Sequence, residues 1–275
     1  MKQYKEIDIN GLQANQADLF VALLSEAGYT GFEESENGDQ LKAFIGHEDF
    51  DGSLLNNILS PHAVAYELKD IEEENWNALW ESNFEPVVVD DFVVLRADFH
   101  KQHFDTRLEI IITPKMSFGT GHHATTYMMI TQMRLLDFPG KKVFDFGTGT
   151  GILSILADKL GASEILAVDN DDWSIANAAE NIERNDCHHI SLKKTHTAVV
   201  DQKFNIILAN INKHVIIANA EILVAALLPG AVLLLSGLLR EDEMEIMNLF
   251  THLGLIHLET QQRGIWIAIR WQSKL

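Results

Sequence analysis

Two glycine-rich runs carry the residue types that can close around a small polar ligand. The first is Pro114-Lys115-Met116-Ser117-Phe118-Gly119-Thr120-Gly121-His122-His123-Ala124-Thr125-Thr126, and the second is Asp145-Phe146-Gly147-Thr148-Gly149-Thr150-Gly151. The second ends an apolar strand pattern, Val143-Phe144-Asp145-Phe146, and opens a helical one. At such a junction a chain can bring backbone N–H groups against a ligand. Glycine there permits positive φ and keeps side chains out of the ligand's way. A dinucleotide fingerprint needs G-x-G-x-x-G, but the position three past Gly149 is Ile152, so the pyrophosphate-binding version fits poorly. Together the two runs point to a nucleotide-like cofactor.

Three further polar residues fall where strand patterns end. Asp169 closes the run Ile165–Val168 about twenty residues past the loop, where a carboxylate can accept hydrogen bonds from both ribose hydroxyls. Capping the helix that begins near Trp173 is the competing role, one that Asn170, Asp171 or Asp172 could also fill. Asn210 ends Leu208-Ala209-Asn210, and its uncharged amide suits orienting an amine beside a positively charged sulfonium. Helix capping is the alternative there too. Asp145 lies within an apolar strand and must be hydrogen-bonded if buried, most simply to loop N–H groups, which makes it a loop organiser near the cofactor. His122 and His123 are open to two readings, a proton relay or part of a lid over the cofactor. Adjacent histidines point apart and no third ligand stands out, so no metal site is expected.

The elements that must position these residues follow from periodicity. Strands over 4–9, 31–36, 40–45 and 63–68 alternate with helices over 15–27 and 53–59, and Asn37-Gly38-Asp39 supplies a hairpin turn. That β-α-β-β-α-β order suggests a small ferredoxin-like domain over residues 1–70. A helix over 71–84, with Trp76, Leu79, Trp80 and Phe84 on one stripe, begins a linker that runs to residue 86. From 87 to 275, β-rich runs at 87–89, 92–95 and 108–112 precede a regular alternation. Strands are expected at 142–146, 164–168, 190–194, 204–209 and 231–235, and helices at 151–160, 173–185, 215–227 and 241–253. This is a doubly wound parallel sheet. The last two strands, 255–260 and 265–269, form an antiparallel hairpin, the ending expected of S-adenosylmethionine-dependent methyltransferases.

Bulk properties narrow the partners. Residues 1–100 hold 21 Asp and Glu against 5 Lys and Arg, so nearly all of the formal net charge of -19 belongs to the first hundred residues. Such a surface repels phosphate backbones and anionic lipids and attracts basic surfaces over about 8–10 Å in physiological salt. A basic protein partner is expected, with no direct nucleic-acid or membrane binding. The single cysteine, Cys187, allows no intramolecular disulfide and agrees with a reducing compartment. The first residues lack a signal peptide's apolar core, so a cytoplasmic protein is expected.

The chain resembles the bacterial ribosomal protein L11 methyltransferase family. The resemblance rests on Phe118–Thr126 (F-G-T-G-H-H-x-T-T), Asp145–Gly151 (D-x-G-T-G-x-G), the acidic strand end at Asp169 and the pair Ala209-Asn210. It implies a seven-stranded class I methyltransferase, Rossmann-like, behind a small N-terminal substrate-recognition domain, with S-adenosyl-L-methionine as cofactor. It further implies cofactor contacts at Thr126, Gly147, Gly149, Asp169 and Asn210, and places Phe118 and His123 over cofactor and amine, with Asn210 and His123 as the catalytic pair. The implied reaction is methylation of a basic ribosomal protein at its N-terminal α-amine and lysine side chains, by a monomeric enzyme. Relatives that methylate glutamine or nucleobases carry N-P-P-Y after the fourth strand, whereas this chain has Asn210-Ile211-Asn212-Lys213. A non-catalytic ribosome-assembly adaptor on the same fold is the reading from another class, and the intact glycines, Asp169 and Asn210 speak against it.

Overall fold

The computed structural model describes residues 4–13, 16–35, 39–62, 64–71, 85–113, 121 and 123–275. The chain divides into two compact units, Met1–Asn83 and Phe84–Leu275. The helix expected over 71–84 lies outside the described residues beyond residue 71.

In the first unit the chain order is β1 (Tyr4–Asn10), α1 (Gln16–Glu26), β2 (Gly31–Glu34), β3 (Gln40–Gly46), α2 (Gly52–Leu59) and β4 (Ala65–Ile71). The strands form one antiparallel sheet in the order β2-β3-β1-β4, the ferredoxin-like arrangement. Strand alternation explains its core. Ile7 and Ile9 of β1 join Leu41 and Ile45 of β3 in one cluster with Phe20 and Leu24 of α1 and Leu55 and Leu59 of α2. The intervening Glu6 and Asp8 take the opposite face, with Lys69 Nζ 3.7 Å from both carboxylates.

The second unit begins with β5 (Val87–Val89), β6 (Val93–Ala97) and β7 (Leu108–Ile112), which form their own three-stranded sheet. Then come α3 (Ala124–Met133), β8 (Lys142–Phe146), α4 (Ile152–Lys159), β9 (Glu164–Asp169), α5 (Asp172–Arg184) and β10 (Ile190–Lys194). The chain ends with β11 (Phe204–Asn210), α6 (Lys213–Ala225), β12 (Leu227–Leu239), α7 (Glu243–His252), β13 (Ile256–Arg263) and β14 (Trp266–Gln272). Seven strands pair in the order β10-β9-β8-β11-β12-β14-β13, parallel except that β14 runs against both its neighbours. This is the class I methyltransferase sheet, with its reversed hairpin at one edge.

Both faces of this sheet are covered, which is why its strands read as continuous apolar runs. Along β11, Ile206 and Leu208 enter one cluster with Met129 and Ile130 of α3 and Ile155 of α4. Ile207 and Ala209 enter the other, with Ile216 and Leu223 of α6 and Phe250 of α7. Truncating a fully buried residue such as Leu208 to alanine leaves a cavity costing about 2–5 kcal/mol. The parallel strands therefore end in register on a rigid platform. No helix among the described residues is long and apolar enough to cross a membrane.

Two elements differ from expectation. Helix α3 begins inside the first glycine-rich run and continues through residues given no element, so Thr125 and Thr126 stand on a helix. Strand β12 does not stop at Ser236-Gly237 but continues to Leu239, because a register shift between Leu235 and Leu238 absorbs the extra residues. Gly237, at φ 82°, makes that bulge possible.

Candidate functional site

Strand β8 delivers Asp145 and Phe146 to the sheet's carboxyl edge, and the chain then turns through Gly147, Gly149 and Gly151 at φ 80°, 54° and 83°. All three lie in the left-handed region that side chains disfavour. A Cβ on Gly147 would overlap the Ile211 side chain, and one on Gly151 would crowd Ala178 of α5 at 3.3 Å. The turn is sewn to the end of β9. Gly147 and Thr148 N–H both donate to the Val168 carbonyl at 2.9 Å, and Gly149 N–H donates to Asp169 Oδ2 at 2.8 Å. Gly151 N–H closes back on the Thr148 carbonyl.

These bonds correct one expectation. The N–H groups of Gly147, Thr148, Gly149 and Gly151 are engaged within the protein, so they are not a cradle for phosphate. What the site presents instead is oxygen. Among the described residues, Asn210 Oδ1 and Asp145 Oδ1 are both buried without a hydrogen-bond partner. An orphaned buried acceptor costs about 1–3 kcal/mol and marks a place where a donor or cation belongs. A ligand bearing a sulfonium, an ammonium and a ribose diol fits that set; a pyrophosphate does not.

Asp169, partly exposed, holds the loop and also accepts from Asp171 N–H at 3.1 Å. A carboxylate has about four acceptor positions, so capacity is left for ribose hydroxyls. The capping alternative is removed, since Asp171 caps α5 through Ser174 N–H at 2.7 Å. The same holds for Asn210, because Asn212 caps α6 through Val215 N–H.

Asp145 is fully buried, and it is held by two hydroxyls and by the Ser154 backbone in helix α4 rather than by N–H groups of the loop. Thr148 Oγ1 and Ser154 Oγ donate to Oδ2 at 2.7 and 2.6 Å. Burial, reinforced by the nearby Asp169 charge and opposed by these hydrogen bonds, raises its pKa to about 6.

Across the site, Asn210 Nδ2 donates to Thr126 Oγ1 at 3.4 Å, joining the end of β11 to the first turn of α3. His123 caps that helix, its Nδ1 accepting from Thr125 N–H at 3.3 Å and lying 2.7 Å from Thr125 Oγ1. Burial lowers the His123 pKa, which favours the neutral ring. With Nδ1 accepting, the proton of that ring sits on Nε2, so His123 stands as a donor; the relay reading would require the cap to open. The ring also meets the Trp266 edge at 4.6 Å between centroids. Phe118 and His122 lie outside the described residues.

The structure thus brings Thr126 to Asn210, and Gly149, in the turn after β8, to Asp169 at the end of the neighbouring strand β9. Sequence reasoning missed Trp266 and the capping role of His123. The helical spacing of Met129, Ile130 and Met133 was the available signal for α3.

A family model described as Ribosomal protein L11 methyltransferase (PrmA) matches residues 5–274. The ribosomal protein L11 methyltransferase of Phocaeicola vulgatus is 33% identical over 282 residues, covering 99% of this chain and 100% of that relative. The corresponding protein of Porphyromonas gingivalis is 38% identical over 262 residues, covering 92% of this chain and 90% of the relative. Among solved structures, the ribosomal protein L11 methylase of Lactobacillus delbrueckii subsp. bulgaricus aligns with a TM-score of 0.65 at 27% identity, over 70% of this chain and 100% of that one. A tRNA m1G37 methyltransferase of M. jannaschii aligns over 98% of this chain and 99% of its own at a TM-score of 0.50 and 17% identity, a likeness of fold alone.

Proposed function

The chain belongs to the ribosomal protein L11 methyltransferase family, and from that membership together with the site's geometry we infer how it works. It is an S-adenosyl-L-methionine-dependent protein methyltransferase acting on ribosomal protein L11. The acceptors in this reading are the N-terminal α-amine and lysine ε-amines of L11.

Gly147, Gly149, Asp169, Thr126 and Asn210 are the residues assigned to the cofactor, and Phe118 completes the set in sequence. When bound, S-adenosyl-L-methionine supplies a methyl group on a sulfonium leaving group. The protein's part is chiefly approach geometry for an in-line displacement at carbon. Asn210 carries the assignment: its Oδ1 is buried and unpartnered while its Nδ2 is held by Thr126. An amide oxygen can accept an N–H from the incoming amine and align the nitrogen lone pair. A carboxylate there would hold the amine protonated, and a protonated amine has no lone pair to give. Lysine, with a reference pKa of about 10.4, must shed its proton, and desolvation beside a sulfonium favours that. Neutral His123 adds no competing positive charge and, through its cap, fixes the turn that carries Thr126.

The concentration of acidic residues in the first hundred supports recruitment of a basic substrate by the N-terminal unit. A monomeric, cytoplasmic enzyme without direct nucleic-acid contacts completes the proposal. Incubation with isotopically labelled S-adenosyl-L-methionine and unmethylated L11 tests it. Label on L11 amines is expected; saturable cofactor binding with no label on L11 would overturn the acceptor assignment.

A further inference from the structure

Helix α5 and its C-terminal cap bury a ladder of asparagines, Asn177 and Asn181 at 0% exposure within the helix and Asn185 at 9% as the cap. Asparagine is a weak helix former, and each buried carboxamide must be satisfied. Two rungs serve β7, an edge strand of the three-stranded sheet, and the residue just past its end. Asn185 accepts from Ile111 N–H at 2.9 Å and donates to the Ile111 carbonyl at 2.6 Å. Asn181 Oδ1 accepts from Thr113 N–H at 2.7 Å. Ile111 and Thr113 are two apart, so the side chains take up successive outward-facing groups that a further strand would otherwise pair.

Asn181 differs from Asn185 in where its other end goes. Its Nδ2 donates to the Thr150 carbonyl at 2.9 Å, inside the glycine turn. That carbonyl precedes the helix cap Gly151, so the hydrogen-bond ladder of α4 does not use it. Thr150 stands between Gly149 at φ 54° and Gly151 at φ 83°, residues whose backbone can rotate at little cost. The N–H groups of the turn tie it to β9, and the buried carboxamide holds its Thr150 carbonyl from the α5 side.

We propose that Asn181 is a positioning residue for cofactor binding: it sets the Thr150 carbonyl, and with it the Gly149–Gly151 turn, against β7. The proposal rests on the reading that Gly147–Gly151 holds S-adenosyl-L-methionine. Asn185 is the internal control, since its side chain holds β7 and the last turn of α5 without touching the glycine turn.

The test is calorimetric titration of S-adenosyl-L-methionine into wild type, Asn181→Asp and Asn185→Ala, with thermal unfolding of each. Asn181→Asp keeps an acceptor for Thr113 N–H but turns an oxygen toward the Thr150 carbonyl. Kd is expected to rise about tenfold or more, whereas Asn185→Ala lowers Tm and holds Kd within about twofold. Loss of folded protein appears in the stoichiometry rather than in Kd, so a purely structural role moves a different quantity. Should Asn181→Asp not fold, Asn181→Ser is titrated in the same way with the same expected rise. The proposal is overturned if the Asn181 variants bind as wild type does, or if Asn185→Ala raises Kd equally. Absence of saturable heat with folded wild type would instead overturn the cofactor-loop reading itself.

Discussion

Asn210 and Thr126 meet across 3.4 Å, from the end of a central strand to the first turn of a helix separated from that strand by five elements of the chain. Among the described residues, the other end of the Asn210 amide is buried and unpartnered. A carboxamide is thus held by one end and offered by the other, the arrangement an uncharged orienting group requires.

Asn210→Asp keeps the shape and reverses the electrostatics. A carboxylate close to the acceptor should raise the amine pKa by about one to three units. At pH 7 kcat/KM for L11 methylation should fall at least about tenfold, with the optimum displaced to higher pH. A pH profile superimposable on that of wild type would contradict the role given to Asn210.

Asp169 combines two jobs that substitution can separate. Asp169→Ala removes both the Gly149 N–H acceptor and the groups assigned to the ribose, and should weaken cofactor binding by about 1–3 kcal/mol. Asp169→Asn retains an oxygen for Gly149 N–H and should lose less. Equal affinities for wild type and Asp169→Ala in a calorimetric titration would remove the ribose assignment.

Asp145 gives a pH signature. Its folded pKa of about 6 lies above the ordinary value of 3.8, so between these values the native state binds more protons than the unfolded one. Its contribution to stability is complete below about pH 4 and is lost as pH rises through 6. Asp145→Asn abolishes that loss. In urea titrations from pH 4 to 7.5, the variant's stability relative to wild type should climb with pH by on the order of 3 kcal/mol. A pH-independent difference would show that the carboxyl is not perturbed.

Gly237 is where β12 presses on the turn after Asn210. A Cβ there would overlap the Ile211 carbonyl, which is backbone and cannot swing aside, and φ 82° already costs an alanine about 1–2 kcal/mol. Gly237→Ala should lower Tm and, by shifting the Asn210–Asn212 turn, lower kcat as well. Retention of both at wild-type values would show that the turn has slack.

Part of the candidate site was legible because Asp169 and Asn210 each end a hydrophobic run. Asp169 and Asn210 interrupt patterns that otherwise belong wholly to a buried parallel sheet, and a carboxylate or amide at such a point has few structural excuses. Helix α3 escaped notice for the opposite reason. Thr125, Thr126, Met128, Met129, Ile130, Gln132 and Met133 are all buried, so the helix has little polar face and its period is faint. In β12, Ser236-Gly237 reads as the strand's end, but pairing of Leu238 and Leu239 with β14 carries it two residues further. The destinations of the loop N–H groups and the asparagine ladder depend on which strand ends lie side by side, and periodicity carries no such information.

The most direct test is a mass-spectrometric map of L11 after reaction with the purified protein and S-adenosyl-L-methionine. Amine methylation predicts methyl groups on the L11 N-terminal nitrogen and on lysine side chains, formed at least about tenfold more slowly at neutral pH when Asn210→Asp replaces wild type. Methyl groups on glutamine or on other non-amine atoms, or an unmodified L11 despite bound cofactor, would contradict it.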